Sequence, residues 1–149
     1  MTAVVLSGGE PTLQPQDVLR ELCRSLKSLG YLVKLDTNGT APDTLKTLID
    51  EKLIDYVAMD VKHLPDLSSY RKVTPINEDL FAKILQSIEL LRTTKIKVEF
   101  RTTVAYPLHT REDVKHLRQL FPGITIQDYS PQGDQLFRDI ELRRLEDAD

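Results

Sequence analysis

Five short polar clusters in this chain carry residue types suited to chemistry, and each one follows, ends or interrupts an apolar run. The first is Ser7-Gly8-Gly9-Glu10-Pro11-Thr12, directly after Val4-Val5-Leu6. The others are Asp36-Thr37-Asn38-Gly39-Thr40, Asp60-Val61-Lys62, the alternating trio Glu99, Arg101 and Thr103, and Asp128-Tyr129-Ser130. Gly8 and Gly9 let the backbone approach a ligand closely and adopt positive φ. The carbonyls of that turn, with Glu10, offer acceptors to an ammonium group, and Pro11 stiffens the turn while removing a donor. A phosphate loop would carry basic residues or repeated backbone donors here, not an acid. Lys62 and Arg101 suit a carboxylate. Asp36 or Asp60 suits sugar hydroxyls or a cation. The ligand outlined is a zwitterion with an amine, a carboxylate and, in the acidic positions, partners for a ribose.

Such clusters act together only if the fold gathers them. Ala3–Ser7 is apolar on consecutive positions and reads as a fully buried strand. Gln14–Leu29 reads as a helix with the stripe Val18, Leu19, Leu22, Cys23, Leu26 and Leu29, ended by Gly30. Tyr31–Asp36 is a second strand, and a helix follows from about Pro42 through Leu45, Leu48 and Ile49. Asp55–Val61 is a third strand, and His63–Ile76 an irregular connection. Asn77 caps a helix with the stripe Leu80, Phe81, Ile84, Leu85, Ile88 and Leu91. Ile96–Val104 is an alternating fourth strand, so Glu99, Arg101 and Thr103 share one face. Thr110, with Asp113 three residues on, opens a helix through Val114, Leu117 and Leu120. Ile124–Asp128 is a fifth strand, and Gln132–Asp149 a polar tail. The alternation calls for an α/β fold of parallel strands with right-handed helical crossovers, either an open sheet or an incomplete barrel. In both, ligands bind at the C-terminal ends of strands, where these clusters fall.

Composition narrows the class. The chain has 149 residues and a net charge of −3, from 20 basic and 23 acidic side chains. One domain of that size holds a sizeable core, and a mildly acidic chain argues against a nucleic-acid partner. No apolar run approaches the roughly 20 residues that span a bilayer. With no signal peptide evident, the expected compartment is the cytoplasm. A single cysteine, Cys23, excludes an internal disulfide and an all-cysteine metal site within one chain. Its place on a helical stripe makes it a core residue. His116 sits on the polar side of its helix and is expected in solvent. His63 and His109 lie in connections, with His63 next to Lys62 a candidate to face the site. Glu99 and Arg101 either pair with each other or serve a ligand.

Ser7-Gly8-Gly9-Glu10-Pro11-Thr12-Leu13, Asp36-Thr37-Asn38-Gly39-Thr40 and Met59-Asp60-Val61-Lys62, in this order and at these strand ends, resemble the radical S-adenosylmethionine superfamily. More narrowly they resemble its branch that activates glycyl radical enzymes, such as pyruvate formate-lyase and anaerobic ribonucleotide reductase. The resemblance covers residues 1–133 as the core, with 134–149 as the polar tail. It implies a partial (β/α)6 barrel of the TIM type. It also implies contacts from Gly8, Gly9 and Glu10 to the amino group of S-adenosylmethionine. Thr37, Asn38, Asp60 and Lys62 would line the ribose and carboxylate region. Asp36 and Asp60 match positions that hold a monovalent cation in some activators, and Arg101 matches a strand arginine near the cofactor. The implied partners are a glycyl radical enzyme as protein substrate and a flavodoxin or ferredoxin as electron donor. The carboxydeazaguanine synthases share the Gly-Gly-Glu-Pro and Thr-Asn-Gly motifs.

The chain departs from that pattern in one respect. The family holds a 4Fe-4S cluster through Cys-x3-Cys-x2-Cys after its first strand, and this motif is absent. The strand, loop and helix concerned would lie upstream of Thr2, so the chain resembles strands two to six of the family barrel, without the first β/α unit. Without three thiolates the cluster is not held, and formation of the 5′-deoxyadenosyl radical depends on it. The expectation is a chain inactive by itself. A missing first strand would leave Val4, Val5 and Leu6 on an exposed edge, which predicts association through that edge or poor folding. The competing readings are a cluster-free S-adenosylmethionine-binding module or remnant, and an unrelated α/β domain that binds another zwitterion.

Overall fold

A computed structural model describes residues 2–129. Five strands form one sheet whose spatial order follows the chain, β1-β2-β3-β4-β5. They are β1 (Ala3–Leu6), β2 (Leu32–Thr37), β3 (Tyr56–Asp60), β4 (Lys97–Val104) and β5 (Thr125–Asp128). The β1–β2, β2–β3 and β4–β5 pairs are parallel. Parallel neighbours need long crossovers, and helices supply them: α1 (Gln16–Ser28), α2 (Pro42–Asp50), α3 (Leu67–Arg71), α4 (Glu78–Thr93) and α5 (Arg111–Leu120). The architecture is the α/β class expected from the sequence. The described chain divides into two compact units, residues 2–60 with Asn77–Glu99, and Val61–Ile76 with residues 100–129.

In the first unit the core lies between the helices and the faces of β2 and β3 that carry Val33, Leu35, Val57 and Met59, all fully buried. Leu19 and Cys23 of α1, Leu45 and Leu48 of α2, and Ile84, Ile88 and Leu91 of α4 fill it. Asp55 locks the base of this layer. Both its carboxylate oxygens lie within 2.8 Å of Lys27 Nζ, and Oδ2 accepts the Val33 N–H. Burial penalises its charge, yet these partners hold its pKa below the ordinary aspartate value. The cap of α4 is Asn77, whose side chain accepts from Leu80 N.

Four expectations for this unit are corrected. β1 is not buried: its residues alternate between exposed and half-buried, and Val5 is 48% exposed. The consecutive apolar positions signal cover on two faces, but β1 stands at the end of the strand order with β2 as its neighbour. Helix α1 starts at Gln16, because Pro11–Leu13 form a separate 3-10 turn and Pro15 occupies the position before the helix. Only part of its stripe is core, since Val18 and Leu22 are 55% and 44% exposed and Leu29 is also exposed. On α4, Leu85 is exposed and Ser87 takes the buried place expected of an apolar residue.

In the second unit Val104, Val114 and Ile126 pack together. Thr110 and Asp113 form the expected reciprocal capping box of α5. His63–Ile76 is more ordered than its sequence suggests, because α3 lies within it, capped by Asp66 onto Ser69 N. His63 and His109 are fully buried, whereas His116 is exposed as expected. Among the described residues no helix is long and apolar enough to cross a membrane. The expected polar tail lies outside the described residues.

Candidate functional site

The turn after β1 is built around Glu10. Its Oε1 accepts the backbone N–H of Asn38 at 2.7 Å, and its Oε2 accepts the Thr37 hydroxyl at 2.7 Å. Oε2 also accepts from Thr12, through the hydroxyl and through the backbone N–H at 3.3 Å. A carboxylate offers about four lone-pair sites, so these donors nearly saturate it. Glu10 therefore acts first as a clasp that joins the Gly-Gly turn to the end of β2. The acceptors left for a ligand are chiefly backbone carbonyls of the turn. Thr12, named in the first cluster but given no role of its own, completes the clasp; its signal was its place two residues after Glu10, within the 3-10 turn.

Gly8 has φ of +85°, the left-handed region that favours glycine. A Cβ at Gly8 or Gly9 would meet nothing within 4 Å, so this stretch of backbone has an open face. It borders a cleft of about 320 Å3 lined by Ser7–Pro11 together with Val5, Leu19 and Leu22. Val5 of β1 and Leu22 of α1, both exposed, are thus walls of this cleft.

The end of β2 is equally constrained. Thr37 Oγ1 accepts Gly39 N–H at 3.2 Å while donating to Glu10. Asn38 Oδ1 accepts both the N–H and the hydroxyl of Thr40, and the Asn38 amide nitrogen donates to no acceptor among the described residues. Gly39 has φ of +81°, and a Cβ there would sit 2.3 Å from Met59 Cε. Its carbonyl accepts the buried Ser87 hydroxyl at 2.7 Å, which accounts for a serine in the core face of α4. The structure therefore brings Gly8, Gly9, Glu10, Thr37 and Asn38 together. Asp36 and Asp60 are half-buried on β2 and β3. Asp36 lies 3.8 Å from Lys34 Nζ. Glu99 accepts the Tyr56 hydroxyl at 2.7 Å.

Lys62 and Arg101 belong to the second unit. The Arg101 carbonyl accepts Val61 N–H at 2.7 Å, so the residue before Lys62 is tied to β4 by its backbone. The Lys62 peptide is held on both sides. Its N–H donates to the Tyr70 hydroxyl at 3.1 Å, and its carbonyl lies 2.8 Å from His109 Nε2. Neither Tyr70 nor His109 is legible as a partner of Lys62, because the pairings span 8 and 47 residues. Of the fifth cluster, Ser130 lies outside the described residues.

Cys23 is fully buried, and burial pushes its thiol pKa up. This is the opposite of what a thiolate metal ligand requires. Among the described residues, no three His, Cys, Asp or Glu side chains gather in a group that could hold a metal ion.

Comparison with known proteins bears on this arrangement. The model of the radical SAM superfamily matches residues 2–121. A candidate glycyl-radical enzyme activating enzyme of Methanocaldococcus jannaschii is 37% identical over 96% of the chain, which spans 64% of that relative's length. A 7-carboxy-7-deazaguanine synthase of Methanopyrus kandleri is 39% identical over 55% of the chain and 35% of its own length. A solved structure of TYW1 with a lysine-pyruvate adduct bound superimposes with a TM-score of 0.73, at 22% identity, over 99% of the chain and 49% of that protein. This last likeness is one of fold.

Proposed function

Because the chain belongs to the radical SAM superfamily, we propose that it serves glycyl radical enzyme activation and that its share of the task is to hold S-adenosylmethionine. One observation carries the activating assignment: 37% identity to the candidate activating enzyme across nearly the whole chain. The deazaguanine synthase likeness is as high but stops at 55% of the chain, so it stands as the second reading.

The residues fit S-adenosylmethionine. The open backbone face at Gly8 and Gly9 and the adjoining cleft suit a ligand whose ammonium group needs acceptors and whose adenosine needs volume. The turn carbonyls accept the ammonium, while Glu10 keeps them aimed and adds negative charge beside them. Thr37, the Asn38 amide nitrogen and Asp60 serve the ribose. Lys62 and Arg101 serve the carboxylate, and Asp36 with Asp60 are the candidates for a monovalent cation. In the family, bound S-adenosylmethionine is the source of the radical.

The residues do not fit the family's iron–sulfur cluster. One buried cysteine with a raised thiol pKa cannot supply three thiolates. No reaction step is assigned to this chain through such a cluster, and the purified chain is expected to be inactive by itself. With iron, sulfide, dithionite and S-adenosylmethionine under anaerobic conditions it should release no 5′-deoxyadenosine; steady release would contradict that expectation. The activating role is tested in the source cells by electron paramagnetic resonance. Deleting the gene should remove a glycyl radical signal, and restoring the gene should return it. A signal unchanged by deletion would overturn the assignment.

A further inference from the structure

Two histidines and a tyrosine in the second unit are fully buried, and none of them has been given a role toward the ligand. Tyr70, His109 and His63 converge on the peptide of Lys62. The Lys62 N–H meets the Tyr70 hydroxyl, and the Lys62 carbonyl meets His109 Nε2. On the far side of its ring, His109 Nδ1 accepts Ala105 N–H at 3.1 Å. That bond leaves Nδ1 without a proton, so Nε2 carries the hydrogen and donates it to the Lys62 carbonyl.

His63 repeats the arrangement. Its Nδ1 accepts Leu64 N–H at 2.8 Å, and its Nε2 donates to the Leu108 carbonyl at 2.8 Å. The two rings stack, with centroids 4.4 Å apart and planes 11° from parallel. Each neutral imidazole thus joins the segment that leaves β3 to the segment that follows β4. Buried polar side chains carry a desolvation cost unless their bonds are made, and here all four ring nitrogens are bonded.

The geometry points to Tyr70 and His109, with His63 as the ring that backs it, as positioning residues for Lys62. They fix the direction in which the Lys62 side chain leaves the backbone, and through it the grip on the ligand carboxylate. This rests on the reading of Lys62 given above. Any buried peptide needs partners; what is particular here is that both partners are fully buried side chains rather than backbone groups.

Calorimetry with two ligands separates the possibilities: S-adenosylmethionine and its decarboxylated analogue, which keeps the amine, sulfonium and adenosine. Tyr70→Phe removes one oxygen and keeps the ring. It should weaken S-adenosylmethionine about fivefold, the scale of one neutral hydrogen bond, and leave the analogue unchanged. His109→Leu should do the same to a larger degree, and His109→Gln, whose amide can donate near the position of Nε2, should recover part of the loss. A variant that merely loosens the fold weakens both ligands alike. That result, or no change for either ligand with Tyr70→Phe and His109→Leu, overturns the positioning role. Lys62→Met tests the reading beneath: if it leaves S-adenosylmethionine affinity unchanged, or if the unaltered chain binds neither ligand, the carboxylate assignment fails and the positioning role falls with it.

Discussion

The turn around Glu10 and the peptide of Lys62 are held by opposite chemistry. At Glu10 one charged acceptor collects donors from Thr12, Thr37 and Asn38. At Lys62 neutral side chains, a phenol and an imidazole, grip a single peptide from its two ends. The first region spends a charge to organise backbone, and its glycines leave one face of that backbone open. The second buries its organisers completely and exposes none of them. A region that must accept an ammonium gains from negative charge beside it, whereas one that must present a cation gains from neutral supports. This difference yields predictions that act on one region and spare the other.

The largest effect should come from Gly39→Ala. Its φ of +81° strains any side chain whatever the space, and a Cβ would also press on the flexible end of Met59 and approach Ser87 Cβ at 3.3 Å. Overpacking and strain together predict a loss of about 3 kcal/mol, read as the urea midpoint. Chemical shifts should move around Asn38 and Glu10 rather than around His109. Next is Glu10→Ala, which strips partners from the Asn38 N–H and the Thr37 hydroxyl. A loss of about 2 kcal/mol follows from charge-assisted hydrogen bonds left unmade in a half-buried site, again by urea titration.

Mild acid, between pH 7 and pH 5, should act first on the second region, where His63 and His109 stand. Burial holds the His109 pKa below its ordinary value of 6.5, outweighing its bond to the Lys62 carbonyl. The His63 ring stacks on it, with the Asp113 carboxylate 3.5 Å from His63 Nε2. The unfolded chain therefore binds the proton more readily than the fold does. The stability linked to His109 is whole above pH 6.5 and declines as pH falls below it toward the folded pKa. The melting temperature of the unaltered chain should fall between pH 7 and pH 5 more steeply than that of His109→Gln; parallel slopes would refute the linkage. The smallest effect belongs to Lys46→Ala. Its pair with Asp50 is exposed on α2, outside both regions, and its removal should change stability by less than about 0.5 kcal/mol.

The same contrast governs what could be read from the chain. The Gly-Gly-Glu-Pro turn and Asp36–Thr40 were legible because each is a local run with strong backbone preferences, and the element order followed from alternating apolar periods. Helix caps at Asn77 and Thr110 were legible for the same reason. The supporting roles of Tyr70 and His109 were not, and His63, a candidate to face the site, instead spends its Nε2 on the Leu108 carbonyl; no local pattern marks a side chain that bonds a distant peptide. The exposed faces of β1 and α1 escaped for a different reason. Apolar periodicity reports which residues seek cover, and Val5, Val18 and Leu22 have little within the described residues. Ser87 is the reverse case, a polar residue drawn into the core by the Gly39 carbonyl.

The central claim is that the Glu10 clasp makes the Gly8–Gly9 turn a site for the ammonium end of S-adenosylmethionine. Isothermal titration calorimetry of the unaltered chain and of Glu10→Ala with this ligand, and with methionine in parallel, tests it most directly. The account predicts binding of S-adenosylmethionine in preference to methionine, weakened about tenfold or more by Glu10→Ala, as expected for loss of a charged organising group. Equal affinity in the two proteins, or no preference for S-adenosylmethionine over methionine, would contradict it.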